Sequence, residues 1–292
     1  MNTQTAMEGQ GEAAQSEAPK FVVSAQKGQT APTRMLDILL PLFAGFVFFA
    51  LWQFLVTYLR IAPYVLPPPS AIAVSLWLNR YDLFRALGNT AFVTLTAFIL
   101  ALLSGIGFGT LLTQNRTLER TLWPYAVALQ VTPIVAIAPL VIIWVGLSRV
   151  WLALLILSWL VAFFPVLSNT VVGIKSADHG HRNLFNLYGA SRWQRFRYLD
   201  FPGALPFILS GARISAGLSV IGAVVAEFVA GSGTSTGLAW TIIQSGNMLD
   251  IPRMFAALTM LSAFGIVIWI VMTRVQELLL SRWHDSEVRY DG

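Results

Sequence analysis

Long apolar runs alternate with short polar segments along most of this chain of 292 residues. Each long run exceeds the roughly 20 residues that an α-helix needs to cross a bilayer. The pattern predicts six spans, over 36–59, 87–112, 122–145, 150–174, 205–230 and 254–280. It also predicts two short surface helices, over 71–78 and 238–245, which are too short to cross.

Composition agrees with a chain embedded in a membrane. Hydrophobic residues make up 56% of it and charged residues only 11%, whereas soluble proteins carry about 25% charged residues. We therefore expect an all-α integral membrane protein with one six-span domain over 35–283. A disordered cytoplasmic tail at 1–34 and a C-terminal tail at 284–292 would flank it.

Basic residues predict the orientation, because lysine and arginine concentrate in short loops on the cytoplasmic side. With the N-terminus inside, thirteen basic residues fall in the inner segments and five in the outer ones. Both termini, and the loop between the fourth and fifth spans, are therefore expected on the cytoplasmic side.

That loop, over 183–206, is the one long, polar and strongly basic segment between two spans. Leu184, Leu187 and Tyr188 recur at helical spacing, so they share one face of a short helix. Gly189 follows at the position where a helix C-cap takes a positive φ.

A second short helix is predicted directly after this glycine. Ser191 and Gln194 form the S-x-x-Q pattern of a capping box, which opens a helix. Pro202 and Pro206 are expected to end it before the fifth span. The loop would thus be two short helices at a sharp angle on the membrane surface, with an apolar face left to be covered.

Prolines and glycines inside the spans suggest further features. Pro133 and Pro139 lie within the third span, where proline frees backbone carbonyls that a neighbour or a water-filled path must satisfy. This favours a helix that lines a cavity, with simple kinks as the alternative. Gly105 and Gly109 have GxxxG spacing, which permits close helix contact, although such glycines also merely tolerate burial.

Two polar residues inside spans are candidates for a translocation path, together with Pro133 and Pro139. Glu227 is the one carboxylate of the fifth span, and intramembrane charges commonly face a bundle interior. It would lie at an outer gate or on the substrate path, or else be an interfacial carboxylate bonded to backbone or Ser232. Asn169 is predicted to hydrogen-bond across helices.

Several kinds of chemistry are not indicated. No G-x-x-x-x-G-K-[ST] sequence occurs, so we do not expect this chain to bind ATP through a P-loop. The chain has no cysteine, and His179 and His181 lack the spacing of a metal site. No Ser-His-Asp arrangement is suggested. We expect no catalytic residue, no metal and no cofactor in this chain.

The loop also resembles one in the permease subunits of bacterial ABC importers. Their pattern has an E-A-A triplet, three residues, glycine, nine residues and I-x-L-P. Gly189 and the 199–202 segment, LDFP, are in register with it, whereas the triplet falls on Asn183-Leu184-Phe185 and does not match. The stretches 132–148, 163–176 and 217–231 are similar to the nitrate, sulfonate and taurine branch, which also serves pyrimidine and flavin precursors.

This resemblance implies a six-helix type I ABC importer permease bundle in the bacterial cytoplasmic (inner) membrane. A homodimer would work with two cytoplasmic ATPase subunits, which bind ATP and Mg²⁺, and with an external substrate-binding protein. The loop would be the coupling helix that docks on the ATPase. Its docking residues would be Asn183, Leu184, Phe185, Leu187, Tyr188, Gly189, Ala190 and Ser191.

Alternatives remain at this point. The loop could be an amphipathic helix bound to lipid headgroups. The chain could be a secondary transporter or channel with Glu227 as its coupling carboxylate, or, third, a membrane-bound enzyme. The solute could be a sulfonate- or nitrate-like anion or a pyrimidine or flavin precursor, and the 236–258 stretch is more similar to permeases for the latter.

Overall fold

The computed structural model describes residues 34–230 and 236–280, and within these ranges the chain is helical with no strand. The predicted tails fall outside the described residues, except that Arg34 begins the first helix. The α-helices in these ranges are α1 (Arg34–Tyr58), α2 (Pro69–Leu78), α3 (Arg80–Gln114), α4 (Arg116–Val131), α5 (Ile134–Val145), α6 (Val150–Lys175), α7 (His179–Leu187), α8 (Arg192–Arg195), α9 (Phe201–Ala230), α10 (Leu238–Asn247) and α11 (Ile251–Leu280). Described residues from Phe46 onward belong to one compact unit, and residues 34–45 belong to another.

Five of these helices are long and apolar enough to cross a membrane, and α4 with α5 makes a sixth if the bent pair is counted as one span. The prediction of one continuous third span over 122–145 is wrong, because α4 and α5 meet at a bend of 100°. Thr132 and Pro133 take extended ψ values of 123° and 115°. A proline disfavours the helical conformation of the residue before it and offers no N–H to continue the helix.

The core of the bundle is the packing of α3 and α9 against α6. A Cβ added to Gly105 would lie 2.7 Å from Val166 Cβ, and one added to Gly109 would lie 2.7 Å from Thr170 Cβ. Carbon atoms normally pack about 3.5–4.0 Å apart, so only glycine allows α3 to lie this close to α6. The close contact predicted from GxxxG spacing is confirmed.

Hydroxyl groups link α6 to α9, which run antiparallel. Ser158 Oγ donates to the Ser219 carbonyl at 2.7 Å, and Ser215 Oγ donates to the Ala162 carbonyl at 2.6 Å. Bonds of this kind between membrane helices are worth about 0.6 kcal/mol each. Together with the small residues along both helices, they define the packing of the two central spans.

The two ends of the bundle are built differently. α3 is 35 residues long, about 52 Å at the α-helical rise. Its start packs with α2, α10 and α11 in an apolar cluster that includes Leu83, Leu238 and Ala257; we call this the α10 end. Its last turn lies beside α7 and α8, at what we call the α7 end. The two short helices predicted from sequence are confirmed as α2 and α10.

The segment after α7 differs from prediction in one respect. Pro202 and Pro206 do not end the second short helix, because residues Arg192–Ala230 form one continuous helical stretch. A π-type turn at Phe196–Asp200 connects α8 to α9. Pro202 has no N–H, and it lies where the hydrogen-bond spacing changes from five residues in the π-type turn to four residues in α9. The missing bond therefore does not interrupt the helix.

Candidate docking and translocation sites

The surface of α7 carries an apolar ridge formed by Leu184, Leu187 and Tyr188. Leu187 is 84% exposed and Tyr188 83% exposed, and Leu184 is exposed as well. These side chains share one helix face at the α7 end of the bundle, on a helix too short to span a bilayer. An exposed apolar face of this kind is a candidate interaction surface.

The turn between α7 and α8 has the local geometry predicted from sequence. Gly189 has φ +65°. Ser191 Oγ accepts from the Gln194 N–H at 3.2 Å, and Gln194 Oε1 accepts from the Ser191 N–H at 2.8 Å. The capping box is therefore confirmed. The angle between the two short helices is fixed by the left-handed glycine and these reciprocal bonds.

A buried carboxylate ties both short helices to the spans. Asp200 pairs at 3.4 Å with Arg182 of α7 and at 3.4 Å with Arg195 of α8. Arg182 Nη2 also donates to the Ile174 carbonyl in the last turn of α6, at 2.8 Å. Sequence reasoning missed Asp200, although it is an acidic residue in a strongly basic loop, inside the matched LDFP segment.

The predicted docking residues divide into two groups. Asn183 is exposed like the ridge, whereas Phe185 and Ala190 are partly buried. Gly189 and Ser191 are exposed as well, and they also shape the turn. The structure therefore places a smaller set on the outside than the predicted docking list.

Glu227 lies inside the bundle at the α10 end. It is 1% exposed. Its Oε1 accepts from Thr90 Oγ1 at 2.9 Å, and its Oε2 accepts from the Ala239 N–H at 3.0 Å. The carboxylate thus faces the interior and is also bonded to backbone, and its role at a gate or on the substrate path stays a prediction. Ser232, the other suggested partner, lies outside the described residues.

The same contacts hold the start of α10. Thr90 Oγ1, while donating to Glu227, accepts from the Leu238 N–H at 2.9 Å. A Cβ on Gly237 would overlap the Glu227 carboxylate, so glycine is what lets the backbone approach it. The first N–H groups of a helix have no partner within the helix, and its N-terminus favours a negative charge. Glu227 and Thr90 thus cap α10; with Gly237, we call them the α10 clamp.

The four predicted path residues are not brought together. Pro133 lies at the bend between α4 and α5, beside a cavity of about 230 Å³ whose lining includes Gln130 and Thr132 and no charged residue. Asn169 was predicted to hydrogen-bond across helices, and it makes no such bond to the residues that the structure describes. It donates to the Pro165 carbonyl one turn back in α6, at 2.8 Å.

Asn169 and Glu227 mark different depths in the bundle. Asn169 packs against Gly211 of α9, and Glu227 lies about 24 Å further along that helix at the α-helical rise. Pro139 is exposed on α5. Within 34–230 and 236–280, no three His, Asp or Glu side chains are placed to share a metal ion.

A bundle with five apolar crossings, or six when α4 and α5 count as one bent span, and with a surface helix pair between two central spans has the architecture of a multi-pass membrane protein. The chain belongs to the family of binding-protein-dependent transport system inner membrane components, whose sequence profile matches residues 101–285. The resemblance drawn from the loop and the span motifs is confirmed.

Named relatives are similar over most of their length. The formylaminopyrimidine transport permease protein ThiX of Halalkalibacterium halodurans is 33% identical over 219 residues, covering 75% of this chain and 86% of ThiX. The riboflavin transport system permease protein RibX of Chloroflexus aurantiacus is 35% identical over 237 residues, covering 80% and 86%. The taurine transport system permease protein TauC of Escherichia coli is 27% identical, covering 82% and 87%.

Among solved structures, the MetNI methionine ABC transporter in an inward-facing conformation matches with a TM-score of 0.60. The match has 20% identity and covers 68% of this chain and 97% of that one, so it supports the fold. The chain is thus the membrane permease subunit of an ABC importer, and ATP hydrolysis belongs to separate ATPase subunits. Family membership favours this over the secondary transporter, the channel and the membrane enzyme.

Proposed function

We propose that two copies of this chain form the translocation path of the importer and that α7 is the surface on which each ATPase docks. The observation that carries the proposal is the exposed ridge of Leu184, Leu187 and Tyr188, on a helix fixed to the central spans. An apolar ridge seated in a groove is a common mode of helix recognition. The α7 end would face the cytoplasm, with both termini on that side, as the positive-inside rule predicts.

Force would pass from the ATPase to the bundle through short, stiff connections. Asp200 holds α7 and α8 through Arg182 and Arg195, and α8 continues into α9. When ATP and Mg²⁺ bind between the partner ATPases and draw them together, displacement of α7 would move α9 and the α6 packed against it. Rigid-body rocking of this kind exchanges inward-open and outward-open states.

We infer that the path passes the bend between α4 and α5. Non-helical backbone at membrane depth is tolerated where it is buried in protein or lines a cavity, and the 230 Å³ cavity lies at this break. Pro133 creates the break without lining the cavity itself, whereas its neighbours Thr132 and Ile134 line it together with Phe164. Pro139, Asn169 and Glu227 are outside that lining, and we do not extend the path to Glu227.

For the solute, we propose a small heteroaromatic compound of the pyrimidine or flavin-precursor type rather than a sulfonate or nitrate. The relatives named for formylaminopyrimidine and riboflavin are 33% and 35% identical, and the one named for taurine is 27% identical. The uncharged cavity lining agrees with a neutral solute. Thermal-shift screening of both classes against the partner binding protein tests this, and a response to sulfonates or nitrate alone would contradict it.

The docking proposal is tested by placing a charge on the ridge. Leu187→Asp should abolish co-purification of the ATPase with the tagged permease, because a carboxylate would have to be buried in the interface. The matched control is Asn186→Asp, which adds the same charge to an exposed position of the same helix and should leave the complex intact. Recovery of the ATPase with Leu187→Asp at the wild-type level would refute docking at this ridge.

A further inference from the structure

A large, open polar cavity lies at the α7 end, bordered by α4, α7, α8 and the ends of α3 and α6. Its volume is about 600 Å³. Two carboxylates, Glu119 and Asp200, line it together with five basic side chains: Arg116, Arg120, Lys175, Arg182 and Arg195. The lining therefore has three more positive than negative charges. An adjoining cavity of about 580 Å³ shares part of this lining and adds Arg192.

Two arginines that line the cavity take no part in its ion pairs. Lys175 pairs with Glu119, and Asp200 is shared between two arginines. Arg116 and Arg120 have no ion pair with any residue in the described ranges. They lie one turn apart at the start of α4, where like charges repel and the helix N-terminus adds further positive potential.

Arg182 provides a second, independent observation. Its Nη2 bonds the Ile174 carbonyl and Asp200. Its Nε is buried and has no acceptor among the residues that the structure describes. A buried donor without an acceptor is unfavourable, and the side chain that carries it lines the cavity, where an anion would add a counter-charge to the guanidinium.

The face of α4 that carries the two arginines also indicates the kind of anion. Pro124, Val127 and Val131 continue the helical spacing of Arg116 and Arg120 along one stripe. All three are exposed, Val131 by 75%. From Arg120 to Val131 the stripe runs about 16 Å. It is basic at one end and apolar beyond, which matches a ligand with an anionic headgroup and a hydrocarbon chain.

We propose that this cavity binds the headgroup of an anionic phospholipid, with an acyl chain lying along Val127 and Val131. The proposal rests on the orientation given above, in which the α7 end meets the cytoplasmic leaflet. Basic pockets between membrane helices on that side suit anionic headgroups. The headgroup would contact Arg182 and Arg195, which also hold Asp200, so lipid occupancy would bear directly on the stiffness of the docking helices.

The test is native mass spectrometry of the purified full-length permease with phosphatidylglycerol or phosphatidylcholine. Arg116→Gln with Arg120→Gln should weaken phosphatidylglycerol binding about 10-fold or more without changing phosphatidylcholine binding. The matched control, Arg60→Gln with Arg85→Gln, removes the same charge from exposed positions at the other end and should bind as wild type. An equal loss in that control would mean non-specific electrostatics and would overturn the proposal.

Two further arms separate other sources of the anion. Inorganic phosphate that displaces phosphatidylglycerol as well as a short-chain phosphatidylglycerol does would identify a free-phosphate site instead. Val127→Ser with Val131→Ser should reduce the preference for long-chain over short-chain lipid, and an unchanged preference would exclude the acyl contact.

The assembled complex provides the last arm. Loss of lipid binding when the ATPase is present would mean that the ATPase covers the cavity, which would overturn the proposal. Failure of the docking proposal is distinguishable, because it is read from ATPase recovery with Leu187→Asp, a substitution outside the cavity.

Discussion

Thr90→Val should break the α10 clamp while keeping the shape of the side chain. The threonine is fully buried and its hydroxyl makes two bonds, donating to Glu227 and accepting from the Leu238 N–H. The valine leaves a carboxylate oxygen and a backbone donor unsatisfied in the interior. Bonds to charged groups contribute about 1.5–3 kcal/mol and an unsatisfied donor costs about 1–3 kcal/mol.

These terms overlap, so we expect a net loss of about 2–4 kcal/mol in the free energy of unfolding. For a domain of this size each kcal/mol shifts the melting temperature by about 2–4 °C. A fall of about 4–16 °C is therefore expected in thermal unfolding of the purified permease. The bend between α4 and α5 and the docking ridge lie away from the substitution, so ATPase recovery should persist.

Thr94 supplies the matched control, because it is equally buried on the same helix, one turn further on. Its hydroxyl has no hydrogen-bond partner among the described residues. Thr94→Val makes the same chemical change without losing a bond, so stability should be unchanged or increased. Equal melting temperatures for the two valine variants would refute the clamp.

A second readout follows the position of α10 itself. The chain has no cysteine, so Ser245→Cys, at a buried position on α10, would carry the one thiol of the protein. It should be protected from maleimide in the parent background and reactive once Thr90→Val releases the helix. Continued protection in the Thr90→Val background would mean that α10 is held by its apolar contacts alone.

Two further predictions concern the core and the docking helices. Gly109→Ala should lower the melting temperature, because the added methyl group would meet Thr170. The control Gly107→Ala has nothing within 4 Å of the added methyl group, so it should raise stability by up to about 1 kcal/mol through helix propensity. Equal effects of the two substitutions would argue against close packing at Gly109. Asp200→Asn should reduce recovery of the ATPase with the tagged permease, because α7 and α8 would be held less firmly. The control Glu277→Gln breaks an exposed ion pair and should leave recovery unchanged. Intact recovery with Asp200→Asn would argue against the anchoring role of Asp200.

The proline predictions show where sequence reasoning stops. Pro133, Pro165 and Pro206 all lie in apolar runs of similar length, and each removes one helical hydrogen bond. Only at Pro133, within the described spans, does the helix turn by 100°; α6 and α9 continue through theirs. Those two helices pack against each other along their length, and neighbouring helices can support a proline in place. The choice between a kink and a break is therefore made by packing.

The short helices show the opposite case. Gly189 and the Ser191–Gln194 pair set the local geometry of α7 and α8 through bonds within a few residues. The turn between these two helices could therefore be predicted from the sequence. Asp200 was missed because its importance depends on Arg182, eighteen residues away, and a charged residue in a polar loop has no distinctive local pattern.

The sequence by itself determined five crossings, the capping box after Gly189 and the basic loop, because a bilayer demands a fixed length of apolar helix and a local cap needs only its neighbours. The tertiary structure alone decided what the carboxylate of the fifth span does. From the sequence, Glu227 is a candidate for a gate, whereas in the fold it caps a helix together with Thr90. The sequence does not reveal this cap, because Thr90 is 137 residues away from Glu227. Partners at such separations meet only when the bundle packs, and the chemistry of a buried charge is defined by them.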